Sequence, residues 1–271
     1  MLSATFKALV REAEFTKEML GSGATQIRMA NYASKGIYFQ AFTSLSTGLE
    51  RIGKLCLMLD HYVHHNGEFP DSNYMRSEIG HSIALIYDKS KLMIVKYSIS
   101  MKFLQHLDDP IHQAILSVLS EFALGDRYSN INLLVGGRRH HDPVAAWFNQ
   151  VDQPLYETHV PRRKKDTIEE NAATVASMLT PYMSVLHTSE IGEEITDVEE
   201  ASHMTGMYKA VAPYRQLYVL HIIRYWVELL SSLRDEAAKP GSQDIPFFNE
   251  IFRHFFNDDT YIRTRKTWDK F

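Results

Sequence analysis

The strongest constraint on this chain is a spacing. Phe42, Leu45, Leu49, Ile52, Cys56, Leu59 and Val63 follow one another at intervals of three, four, three, four, three and four residues. An α-helix brings such positions onto one face, and so regular an apolar stripe is buried against partner helices. Asn66-Gly67 follows, a pair that tolerates the left-handed conformation in which helices end. The spacing predicts a long helix over roughly 35–65, the spine of a helical bundle.

The remaining segments read as helices around that spine. Leu2, Phe6, Leu9 and Ala13 mark a first helix, which the Gly21-Ser22-Gly23 cluster is expected to stop. Pro70-Asp71-Ser72 opens a further element with Asp71 or Ser72 as cap. Val95–Phe103 fits both strand alternation and helical spacing, and the helical context tips it toward helix. Asp109-Pro110 starts a helix that Gly125 closes. The stretch 126–142 loses its pattern around Gly136-Gly137; it is the longest irregular stretch and a fair place for function. Helix resumes at Pro143. Another is expected from Asp166 to about His187, with Thr167 and Glu170 as a capping box. The acidic stretch from Glu190 to Glu200 reads as a linker, with a second box of Thr196 and Glu199. Pro213 is expected to break or start a helix that continues to Ala238 and is apolar nearly all round over Leu217–Leu233. Asp244-Ile245-Pro246 begins a last short helix, and the basic tail, Tyr261 to Phe271, reads as loosely held. The expectation is an all-α fold: an N-terminal bundle over 1–188 and a C-terminal helical portion over 196–271 on the same core.

Composition narrows the function. Hydrophobic residues are 45% of the 271, enough apolar surface to offset the entropy of ordering. A single Cys leaves no disulfide framework and no cysteine-based zinc site. The net charge of −4 argues against coating nucleic acid by bulk charge. The start has no apolar core of a signal sequence, and the run Leu217–Leu230 is interrupted by His221, Arg224 and Glu228, too charged to span a bilayer. A cytoplasmic protein with no membrane association is expected.

Several residue groups suggest chemistry, each with a structural alternative. His61, His64 and His65 share a helical face beside Asp60, but cationic imidazoles also suit a helix C-terminus, and no metal or cofactor is expected. Arg127 and Asn130 present directed donors for a phosphate; equally, Arg127 serves as a helix cap and Asn130 as a turn residue. Arg138-Arg139 and Arg162-Arg163-Lys164-Lys165 are the chain's basic clusters, suited to phosphates without base specificity or to a solvated turn. Phosphate-binding lysine loops, dinucleotide glycine motifs, nucleophile elbows and zincin motifs are absent from the sequence.

The segment with Gly48-Leu49-Glu50-Arg51, an aliphatic helix end, a loop, then Gly80-His81 and a second aliphatic helix resembles the bacterial HEPN superfamily. The resemblance covers roughly residues 35–135. It implies a helical bundle, frequent homodimerisation, and a role in toxin–antitoxin or phage-defence systems, as a metal-independent ribonuclease, an RNA-binding protein, or an inactive interaction module. A cognate antitoxin or other protein partner goes with such roles. The family's ribonuclease motif is an Arg followed by a His after a short gap, the His as general acid or base and the Arg on the scissile phosphate. Arg76 with His81 and Arg215 with His221 match it as alternative pairs. In a straight helix neither spacing puts both side chains on one face, and His221 lies in an apolar run where a hydrogen-bonded core histidine is usual.

Overall fold

The computed structural model describes residues 2–138, 141–239 and 244–269. The fold is all-α, about 74% helical. Helix α1 (Ala4–Met29) starts where Ser3 Oγ accepts the Phe6 amide at 3.0 Å. Helix α2 (Gly36–His64) is the expected spine, and every stripe residue from Phe42 to Leu59 is at most 1% exposed.

Helix α1 runs straight through Gly21 and Gly23, where the sequence predicts a stop. These glycines admit a neighbour instead of ending the helix. A Cβ on Gly23 would stand 2.6 Å from Leu45 Cγ, and one on Gly48 would stand 2.7 Å from Leu20 Cδ2. The two helices interlock, each presenting glycine to the other's leucine.

A single turn, α3 (Ser72–Tyr74), capped by Asp71, widens into a π-helical turn over Met75–Ile79. Gly80 closes it at φ +66°, a conformation that favours glycine. Helix α4 (Ile83–Lys96) follows. Beyond Lys96 the chain is neither helix nor strand, correcting the helical expectation for Val95–Phe103. Side chains satisfy its backbone: Gln105 accepts from the Met101 amide and donates to Ile99 O, and Tyr87 OH accepts from the Leu107 amide. Helix α5 (Pro110–Leu124) has the predicted Asp109 cap and Gly125 stop. The irregular stretch then holds a 3-10 turn (Asp126–Tyr128) and α6 (Ser129–Leu134). Next come α7 (Pro143–Trp147), a π turn (Phe148–Asp152), α8 (Gln153–His159) and α9 (Arg162–Leu179).

Three helix starts differ from their predicted positions. Helix α9 begins at Arg162, and Thr167 Oγ1 donates back to Arg163 O instead of capping. The acidic stretch forms a small antiparallel hairpin, β1 (His187–Thr188) and β2 (Glu194–Ile195), and the cap beyond it is Asp197 rather than Thr196. Helix α10 (Val198–Ala238) carries Pro213 in its interior without ending there. Its 41 residues span roughly 60 Å. An internal proline removes one backbone bond and costs about 3 kcal/mol; the burial of Leu217 to Leu230 on every side outweighs it.

The C-terminal segment is α11 (Phe248–Ile251), a 3-10 turn (Arg253–Phe255) and α12 (Asp259–Thr264). As far as Asp269 the basic tail is not loose, and Lys270 and Phe271 lie outside the described residues. Ile262 and Trp268 are fully buried, the Trp268 amide donates to Thr25 Oγ1 at 2.7 Å, and Gln216 Nε2 donates to Lys266 O. One hydrophobic core joins Leu9 to Trp268. No described helix is long and apolar enough to cross a membrane.

Candidate functional site

The two residues of the second Arg–His pair point away from each other. Arg215 is 1% exposed and lies against Asp152 in a two-pronged contact, Nε to Oδ1 at 2.8 Å and Nη2 to Oδ2 at 2.5 Å. Its remaining nitrogen donates to Ile27 O and Ala30 O, closing the C-terminal end of α1. Trp147 Nε1 and Tyr38 OH also donate to Asp152, and Tyr38 reaches Glu190 at 3.4 Å. Burial pushes both the Asp152 and Glu190 carboxyls up, with the paired guanidinium pulling Asp152 the other way. The free space beside this group is about 10 Å³, room for one water at most. A nucleotide phosphate has no place there.

His221 sits on another side of α10. Its Nδ1 is 3.2 Å from His112 Nε2, and its Nε2 lies 3.1 Å from Asp259 Oδ1, which also holds Arg224 at 2.8 Å. Tyr218 packs on the His112 ring and joins His159 at 3.0 Å and Asp109 at 3.4 Å. Burial lowers His112 to about 4 and lowers His221, the facing imidazole adding to the shift on His112. Both are neutral at pH 7.

The first pair is exposed and open. His81 Nδ1 lies 2.9 Å from Glu50, with 74% of its side chain in solvent. Arg76 is exposed on the π turn and makes no side-chain hydrogen bond or ion pair among the described residues. It is not brought into contact with His81. The other residues carrying the family likeness have structural roles: Gly48 seats Leu20, Leu49 is buried, Glu50 also holds Lys54, and Arg51 pairs with Glu12. Arg51 and Lys54 edge a groove of about 450 Å³ walled by Leu9, Leu55, Phe69 and Met75.

The basic residues stay at the surface. Arg127 and Asn130 are exposed, with the Arg127 guanidinium 5.2 Å from the Tyr128 ring. Arg138 is exposed, and Arg139 lies outside the described residues. Arg162 pairs with Asp166 at 2.7 Å and Lys165 leans over the Tyr156 ring, while Arg163 and Lys164 are exposed and have no ion-pair partner among the described residues. These four cations occupy the first turn of α9, the positive end of the helix dipole. That placement is unfavourable within the chain and favourable toward an anion. The His61 and His65 rings stack at 3.7 Å, and His64 faces Tyr97.

Between Arg127 and Arg138 lies a feature the sequence reading passed over. Helix α6 buries only Ser129, leaving Ile131, Leu133, Leu134 and Val135 at 58%, 68%, 85% and 73% exposure. The signal was present as INLLV inside a segment read for its polar residues. The buried acids Asp152, Glu190 and Glu228 were also missed, since nothing in the spacing marks their partners.

Comparison with models of known protein families, with functionally described proteins and with solved structures gives no match.

Proposed function

We propose that this chain is a non-enzymatic helical interaction module that binds a protein surface, in the first instance a second copy of itself, through α6. The observation that carries this reading is the row of apolar side chains over Ile131–Val135, flanked by Arg127 and Arg138. Consecutive large aliphatics more than half exposed are characteristic of contact surfaces. The separation of Arg215 from His221, and the lack of contact between Arg76 and His81, support the inactive form of the HEPN-like plan over the ribonuclease. Incubation with total RNA in EDTA tests it: the expected result is intact RNA, and cleavage that disappears in His81→Ala or His221→Ala would restore the ribonuclease reading.

RNA binding without cleavage is a second reading, favoured by the cations on the first turn of α9. Replacing Arg163 and Lys164 by Gln then weakens RNA binding uniformly across sequences and flattens its salt dependence. An unchanged salt slope in that variant removes these side chains from any RNA interface.

A further inference from the structure

The β1–β2 hairpin enters the core by one ionisable side chain. Glu190 is 2% exposed, while Ile191 to Glu194 at the tip stand in solvent. The tip is tightly made. The Ser189 amide donates to Glu193 O at 2.7 Å, Ser189 Oγ accepts the Glu193 amide at 3.0 Å, and Gly192 turns at φ +88°. The Glu190 carboxyl is held inward, where Oε1 meets the Tyr38 hydroxyl at 3.4 Å and Oε2 has no donor among the described residues. Buried carboxylates are ordinarily paired or fully hydrogen-bonded.

The surroundings are short of positive charge. Asp152, from the π turn, reaches the same hydroxyl at 3.2 Å, and a phenol has one proton to give. Tyr38 from α2, and Arg215 and Tyr208 from α10, are the other titratable or charged groups around the two carboxyls. Among them Arg215 is the cation, and it pairs with Asp152. One guanidinium balances one carboxylate, so with both acids ionised the buried group carries an unmatched negative charge. Carboxyls that share a site titrate as a pair, one proton being held well beyond the ordinary range. Burial, then the facing Asp152, raise Glu190 above its ordinary 4.5, against the pull of its own amide, Arg215 and Tyr38.

We propose that the hairpin is a proton-dependent latch, which docks with one proton held by the Asp152–Glu190 pair and loosens when that proton is lost. The latch has something to cover. Ile195 of β2 is fully buried with Tyr32 and Ala201, and Val185 and Met204 pack on this small cluster. Opening bares it beside Met183 and Leu186, which are already 48% and 79% exposed. A carboxyl raised in the docked state favours docking fully below its free value, near 4.5, and loses that contribution as the pH rises through the docked value. One proton makes opening about tenfold more frequent per pH unit across that interval. The direction is opposite to that set by His112 and His221, whose contribution fades toward acid. The hairpin's own amides therefore report the latch, and the stability of the whole chain does not.

Hydrogen exchange at the Ser189, Gly192 and Glu193 amides of the full chain tests this, read as protection relative to an unstructured peptide from about pH 4 to 8. Protection in the wild type is expected to fall by about tenfold per unit as the pH rises above 4.5, then to level off. Glu190→Gln has the shape of the protonated carboxyl and no charge, and its protection is expected to stay flat. His187, on β1 against the Tyr32 ring, is the histidine of the hairpin itself; His187→Gln is expected to keep the wild-type decline. Should Glu190→Gln fail to fold, the carbon-13 shift of the Glu190 carboxyl in the wild type gives a second reading, with a midpoint expected above 4.5. Four results overturn the proposal: flat protection in the wild type, an unchanged decline in Glu190→Gln, loss of the decline in His187→Gln, or a Glu190 midpoint at or below 4.5.

Discussion

Removing the Arg215 guanidinium leaves Asp152 buried without its charge partner, with Trp147 Nε1 and Tyr38 OH as its remaining side-chain donors among the described residues. It also strips Ile27 O and Ala30 O of the group that closes α1. Breaking a buried pair from one side costs about 3–5 kcal/mol, whereas replacing both members is far milder. Arg215→Met is therefore expected to lower the denaturant midpoint severely, and adding Asp152→Leu to restore much of it. A loss under about 1 kcal/mol in the single variant would deny Arg215 its structural role.

His112 and His221 give a different test, through pH. Their folded-state values lie below the ordinary 6.5, about 4 for His112, so the unfolded chain takes up protons first. Stability contributed by their neutral forms is present above about pH 6.5 and falls as the pH drops toward 4. Asp109, Asp259, Arg224 and Tyr218 face the pair; of these Asp259 is held below its ordinary value, so its own contribution is lost only at lower pH. His112→Phe keeps a ring without a titrating proton. It is expected to flatten the decline between pH 6.5 and 4 by about 1–3 kcal/mol, read from urea midpoints across that range.

At the scale of elements, the α1–α2 contact rests on glycines meeting leucines. Gly23→Val forces a branched side chain to within van der Waals overlap of Leu45, whose backbone N is only 3.1 Å from the added Cβ. Overpacking of this kind costs about 1–3 kcal/mol, and valine has little helix propensity to set against it. Gly36→Ala, where the Cβ meets nothing within 4 Å, is expected to leave the melting temperature unchanged or raise it. The same glycines explain what the sequence could and could not convey. The α2 stripe was legible because one face of one helix meets the core, so periodicity alone locates it. Gly21-Ser22-Gly23 and Pro213 misled because helix-breaking residues were read by their local preference, and long-range packing overrode it. The buried tail was hidden for the converse reason: a Trp268 amide on Thr25 spans 243 residues, a separation that no local pattern encodes. The candidate site was less legible still. Arg215 and His221 stood out by spacing, but whether they meet depends on Asp152, Glu190 and Asp259, which reach them from other elements.

For the whole molecule, the most apolar segments of the chain are used internally. The apolar run of α10 and the aromatics Phe248, Phe252 and Phe255 are buried in the single chain, as is the stripe of α2. Among the large apolar side chains left exposed, the densest run is the row on α6, extended by Leu124 and Tyr128, each about half exposed. A stable interface buries about 800 Å² on each partner, more than one short helix supplies. The adjoining end of α5 and the flanking arginines must take part, so a two-fold arrangement pairing α6 with its copy would bring Arg127 and Arg138 to the rim, where like charges are best kept in water. Sedimentation of the wild type is then expected to show a dimer at micromolar concentration. Leu134→Glu, at the most exposed position of the row, is expected to yield a monomer with an unchanged helical spectrum and melting temperature, because that side chain supports nothing in its own chain. A monomeric wild type would remove self-pairing and leave α6 to a different protein. A dimer that survives Leu134→Glu would move the interface to the other apolar exposures, Leu85, Leu92 and Val95 on α4 or Met178 at the end of α9 with Tyr182 and Leu186 after it.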